Sequence, residues 1–147
     1  MLSSPEVISQ LIEGFFLIRR KLTDGLASST THITPSQGWV LSLVDKQGPM
    51  SVKTIAQKLR MSSSAATQLI DALVQNGYLI RSEDEADRRT SLISATEKGK
   101  ETIQVILNHL HISTKQTFGV LTPEELDTYI TLTEKIVRTL HEPGPKD

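Results

Sequence analysis

The sequence predicts a mainly helical chain with one small β-hairpin, and three observations carry that prediction. Apolar residues recur at three- and four-residue spacing along most of the 147 residues. Ser/Thr-Pro pairs at Ser4, Thr34 and Thr122 mark helix starts, because proline at the first helical position loses no hydrogen bond and the preceding hydroxyl caps the turn. Only the stretch from Tyr78 to Ala95 reads as strand, polar tip and strand.

Taken in order, the first helix is predicted from Pro5 toward Leu26. Ile8, Leu11, Ile12, Phe15, Ile18 and Leu22 share one face, with Val7, Phe16 and Leu17 apolar outside it. The next opens at Thr34-Pro35, where Gln37 completes a capping box, and carries Trp39, Val40, Leu41, Leu43 and Val44. Ser51 caps a short helix whose Val52, Ile55, Ala56 and Leu59 form one apolar face. After Arg60-Met61 another helix opens at Ser62, buries Ala66, Leu69, Ile70, Leu73 and Val74, and stops at Gly77. The hairpin follows directly, its strands Tyr78–Ser82 and Ser91–Ala95 flanking the tip Glu83–Thr90. A long helix from Glu97 toward Phe118 carries Ile103, Ile106, Leu107, Leu110 and Thr114. The last opens at Thr122-Pro123 with Glu125 in a second capping box, and carries Leu126, Tyr129, Ile130, Ile136, Val137 and Leu140.

Short helix, tight turn, second helix and hairpin in unbroken succession read as a winged helix-turn-helix. The exposed face of the second helix holds Ser63, Ser64, Thr67, Gln68 and Asp71. Short hydroxyls and one amide leave it nearly flat, so it can enter a major groove with Ser62, Ser63, Ser64, Thr67 and Gln68 reaching base edges or phosphates. Arg88 and Arg89 at the wing tip are placed for the minor groove, whose negative potential attracts guanidinium, and Asp87 can brace one of them by a bidentate pair. Ser36 and Gln37, at a positive helix terminus, are candidate phosphate donors.

From Val52 to Gly99 the chain resembles the DNA-binding domain of the MarR family, the multiple-antibiotic-resistance type of bacterial transcription regulators. The residues that carry the likeness are Ile55-Ala56 with Leu59, Met61 to Ala65 at the turn, Leu73 to Leu79, Asp87-Arg88-Arg89 in the wing, and Thr96 to Gly99. The resemblance implies that Asp87 orients Arg89 into the minor groove, that Arg88 meets backbone nearby, and that residues 62 to 68 face the major groove. It also implies dimerisation through the terminal helices and a small aromatic effector, for which Phe15, Phe16, His32 and Trp39 are the candidate pocket; the residues by themselves make Trp39 a core side chain packed between the DNA-reading and dimer-forming regions. Arg60 departs from the pattern by standing where relatives often carry glycine. Either it accepts an uncommon backbone conformation, or the turn differs.

The remaining features narrow the function. A net charge of -1 requires any positive potential to come from local placement of Lys53, Lys58, Arg60, Arg81, Arg88 and Arg89. With no cysteine, disulfides and thiol-based switching are chemically excluded. The four histidines are scattered, away from any nucleophile motif or phosphate loop, so no catalytic residues, metal or cofactor are expected and the chain is read as no enzyme. Without a long apolar run, leader or lipidation signal, a cytoplasmic protein with no membrane partner is expected. The terminal helices carry more apolar surface than one contact needs, which points to a homodimer. The expected organisation is an N-terminal dimerisation helix at 1–33, a winged helix-turn-helix DNA-binding core at 34–96, and C-terminal dimerisation helices at 97–147. The expected function is that of a homodimeric repressor on a pseudo-palindromic double-stranded operator, released by an effector. The alternative, kept open by the acidic Glu83, Asp84 and Glu85 at the tip, is a protein-binding winged helix without DNA contact.

Overall fold

The computed structural model describes residues 4–24, 32–87 and 89–139; Arg88 and the predicted helix ends Leu26 and Leu140 lie outside them. Among the described residues the order is α1 (Pro5–Thr23), α2 (Pro35–Gln47), β1 (Met50–Ser51), α3 (Val52–Leu59), α4 (Ser63–Gln75), β2 (Leu79–Glu83), β3 (Ser91–Ala95), α5 (Glu97–Phe118) and α6 (Pro123–Thr139). The chain is therefore mainly helical with a winged helix-turn-helix, as its periodicities predict.

All three hydroxyl-proline starts are caps. The Val7 N–H donates to Ser4 Oγ at 3.3 Å. In α2 the Gln37 N–H donates to Thr34 Oγ1 at 3.3 Å, and Gln37 Oε1 accepts the Thr34 N–H at 2.9 Å. The same reciprocal pair joins Thr122 and Glu125 at the start of α6, at 3.2 and 2.9 Å. Each box satisfies two backbone donors that a helix start otherwise leaves orphaned.

Backbone contacts divide the chain into two compact units, residues 24–110 and residues 1–23 with 111–147. In the first, Leu41, Ile55, Ile70, Leu73, Leu79, Ile93 and Ile103 are almost wholly buried, and each such side chain contributes about 1.5–3 kcal/mol by leaving water. The sheet runs β1-β3-β2, antiparallel throughout. Its third strand is an addition to the predicted hairpin: Met50 pairs with Ile93 and Ser51 with Leu92. Ile93, on the central strand, is fully buried. In the second unit α1 and α6 bury none of their residues, although Leu11, Ile12, Phe15, Leu132 and Ile136 are each more than half exposed apolar side chains. The Phe118 ring packs on Tyr129 with centroids 5.1 Å apart.

Trp39 corrects an expectation. It is 68% exposed, not a core residue. The buried positions of α2 are Val40, Leu41 and Val44, and at about 100° per residue that stripe turns position 39 toward solvent. On α5, Ile103 and Ile106 are buried and Leu110 half-buried, whereas the predicted Leu107 and Thr114 are exposed and Ser113 is buried instead.

Candidate nucleic-acid interface

The interface is built from the turn outward. Ser51 Oγ accepts the Thr54 N–H at 3.1 Å and starts α3. At the other end Arg60 takes the left-handed conformation, φ 53° and ψ 45°. There the Arg60 N–H donates to Gln57 O at 3.3 Å and the Met61 N–H to Ala56 O at 3.0 Å, the paired bonds that close a helix through a left-handed residue. Arginine therefore does here what glycine does at low cost, and the turn is kept.

Ser62 then caps α4, its Oγ accepting the Ala65 N–H at 3.1 Å. Ser63, Ser64 and Gln68 are exposed on one face, with Thr67 half-buried beside them. The Thr67 hydroxyl donates to Ser63 O at 2.8 Å, so it faces outward with its acceptor lone pairs. Ala66, Ile70 and Leu73 pin the opposite face into the core. The helix ends at the glycine that the sequence marks as its stop: Gly77 has φ +75°, its N–H donates to Val74 O at 2.9 Å, and the Tyr78 N–H donates to Leu73 O at 2.8 Å.

The wing tip is held by its own carboxylates. Asp87 Oδ1 accepts the Arg89 backbone N–H at 3.0 Å, and Asp87 Oδ2 accepts the Thr90 hydroxyl at 3.3 Å. Asp84 Oδ1 takes the Ala86 N–H at 2.9 Å. Asp87 thus braces the tip through the backbone of Arg89 and not through a bidentate guanidinium pair, which leaves the exposed Arg89 side chain without an acidic partner among the described residues. Asp84, one of the acidic tip residues, is thereby committed with Asp87 to holding the shape of the tip.

Three further links join α4 and the turn that ends it to their surroundings, and nothing local in the sequence marks them. Arg81 on β2 donates to Asp71 on α4, Nη2 to Oδ1 at 2.6 Å. Their opposite charges are the only signal in the chain, since ten residues separate them. At the start of α5 the Thr96 hydroxyl donates to Gly77 O at 2.6 Å and accepts the Gly99 N–H at 3.0 Å. Lys98 Nζ donates to Asn76 O at 2.7 Å, where a cation suits the helix C-terminus, and lies 4.5 Å from the Tyr78 ring centroid. Gly99 is required there: a Cβ would stand 2.1 Å from Tyr78 O.

The other sequence candidates fall elsewhere. Ser36 is exposed in the first turn of α2, while the Gln37 side-chain oxygen is engaged in the capping box. Phe15 and Phe16 are exposed on α1 in one unit; His32 and Trp39 are exposed in the other. His109 bonds through Nε2 to Asp24 O at 2.7 Å. Among the described residues no group of three or more His, Cys, Asp or Glu is arranged to hold a metal, and no helix is long and apolar enough to cross a membrane.

A braced wing beside a helix with a flat hydroxyl and amide face defines a helix-turn-helix transcriptional regulator. The family model that matches, over residues 33–91, is that of the MarR family. Two Bacillus subtilis relatives, both described as uncharacterized HTH-type transcriptional regulators, are each 33% identical. YkoM aligns over 69% of this chain and 66% of its own length, YpoP over 66% and 69%, so the match spans about two thirds of each. The fold is shared with a mutant MarR from E. coli complexed with operator DNA, at a TM-score of 0.74 and 22% identity, covering 88% of this chain and 92% of that one. The chain belongs to the MarR family.

Proposed function

We propose that this protein is a homodimeric repressor that reads a pseudo-palindromic double-stranded operator, one α4 per half-site, and is released by a small-molecule effector. The observation that carries the reading is that the outward-facing Ser63, Ser64, Thr67 and Gln68 and the exposed Arg89 belong to one tightly cored unit. Helix and wing can then engage adjacent grooves without reordering. In this reading Ser62 to Gln68 meet the major groove, Arg89 the minor groove with Arg88 on nearby backbone, and Ser36 a phosphate. The terminal segments, 1–33 and 97–147, supply the dimer contacts, because the apolar residues of α1 and α6 are left uncovered in a single chain. Phe15, Phe16, His32 and Trp39 are the effector candidates, and a ligand that displaces operator should lose that effect when they are replaced singly by alanine.

The test is selection of bound duplexes from a random pool, followed by titration of the winner. An inverted repeat is expected. Arg89→Ala should weaken operator binding by on the order of 1–3 kcal/mol with the fold intact, and Gln68→Ala should lower the preference for operator over random DNA. Wild-type affinity in Arg89→Ala removes the minor-groove role. Failure to enrich any duplex, or binding that is insensitive to salt, would favour a protein-binding winged helix instead.

A further inference from the structure

We propose that Asp71 is a specificity-determining residue: it holds the Arg81 guanidinium away from the phosphate backbone and so keeps affinity for arbitrary duplexes low. The inference rests on the DNA-reading assignment of α4. Asp71 follows Thr67 by four residues and Gln68 by three, which places it on the same helix face. A carboxylate there approaches a polyanion, so its presence needs a reason. Fold stability is a weak one, because the Asp71 side chain is 60% exposed and that of Arg81 34%, and exposed pairs contribute little. Charge placement is a better one. Arg81 leads into the wing from β2, and a free arginine is a strong, sequence-blind ligand for phosphate. The 2.6 Å contact cancels that cation without removing it.

Specificity is the ratio of operator to random affinity, and non-specific binding comes almost wholly from neutralised phosphates. Releasing Arg81 adds one mobile cation per protomer, which can find a phosphate on any duplex. In the operator complex, where base contacts fix the register, it gains less. Lys53, Lys58 and Lys98 remain in both cases and do not alter the comparison; Lys98 is itself engaged on Asn76 O.

The experiment measures binding of wild type, Asp71→Asn, Arg81→Gln and the double variant to operator and to a random duplex over a salt series, with thermal unfolding alongside. For Asp71→Asn the random-duplex slope should steepen by about 0.9 per protomer, a change between roughly 50 and 200 mM salt of about 3.5-fold for one protomer and about twelvefold for a dimer, and the operator-to-random ratio should fall. The double variant should return to wild-type slope, since the effect needs the released guanidinium. An unchanged slope in Asp71→Asn overturns the proposal. So does a loss confined to the operator, which would make Asp71 a base reader, or a lowered unfolding temperature with both affinities weakened, which would make the pair structural. If wild type binds no duplex, the DNA-reading assignment falls and this inference with it; if wild type binds and the variant matches it, only this inference falls.

Discussion

The unit spanning residues 24–110 and the helices α1 and α6 differ in where their apolar side chains go. Every buried hydrophobic residue among those described lies between Val40 and Ile106, while α1 and α6, no less apolar in pattern, bury none. Periodicity thus reports an apolar face without saying what covers it. In the DNA-reading unit α2, α3, α4 and the first part of α5 close over a three-stranded sheet, so its stability is a property of one chain. For α1 and α6 the cover is the proposed second copy, so their contribution to stability should depend on protein concentration.

The largest effect that sharpens this contrast is expected inside the core. Leu73, 1% exposed, anchors α4 directly above its terminating turn. Leu73→Ala should lower unfolding stability by about 2–5 kcal/mol, the range for truncating a buried leucine, and the loss should be the same at every protein concentration. Denaturant titration at two concentrations checks both points. A concentration-dependent loss would mean that the DNA-reading unit does not stand alone.

The complementary perturbation is made on the terminal helices. Leu11, 57% exposed, and Ile130, 48% exposed, are surface positions in one chain, so a charge there should leave the secondary structure intact. In the proposed dimer the same charge is buried. Leu11→Glu and Ile130→Glu should each weaken self-association by on the order of 2 kcal/mol, about thirtyfold, as read by sedimentation equilibrium. Unchanged association in both would remove α1 and α6 from the dimer contact.

How much of this was legible follows from the range over which each feature is determined. The capping boxes at Thr34 and Thr122 and the Gly77 terminator are local, each decided within a few residues, and the sequence located them correctly. The hairpin was found to within a residue, its strands beginning at Leu79 in place of Tyr78 and ending at Ala95. The features missed are those decided by distant partners. β1 has two residues and exists only because Met50 and Ser51 pair with Ile93 and Leu92. The Arg81–Asp71 contact and the grip of Thr96 on Gly77 O join separate elements, as does Lys98 on Asn76 O. Trp39 departs from expectation for a related reason: the nearly continuous apolar run Trp39 to Val44 offers several candidate inward faces, and neighbouring elements choose among them. In the wing, residue types suggest a pair between Asp87 and an arginine side chain, but the bond runs to the Arg89 backbone N–H, a choice of atoms that residue types cannot specify.

The smallest expected effect lies within the DNA-reading unit, at the one described non-glycine residue with positive φ. A left-handed conformation costs an L-residue roughly 1–2 kcal/mol, a cost that Arg60→Gly removes. Against this, glycine gives the unfolded chain more freedom, worth about 0.4–1 kcal/mol. The two terms nearly offset, so Arg60→Gly should change stability by no more than about 1 kcal/mol, on the stabilising side if backbone strain dominates. Because the turn bonds from residues 60 and 61 to Gln57 O and Ala56 O need only the backbone, α4 should keep its position. DNA binding then isolates the side chain: if the Arg60 charge meets a phosphate, the variant's operator salt slope becomes shallower by about 0.9 per protomer with stability unchanged. A loss of stability beyond about 1 kcal/mol would show instead that the side chain, and not the backbone alone, holds the turn between the two helices.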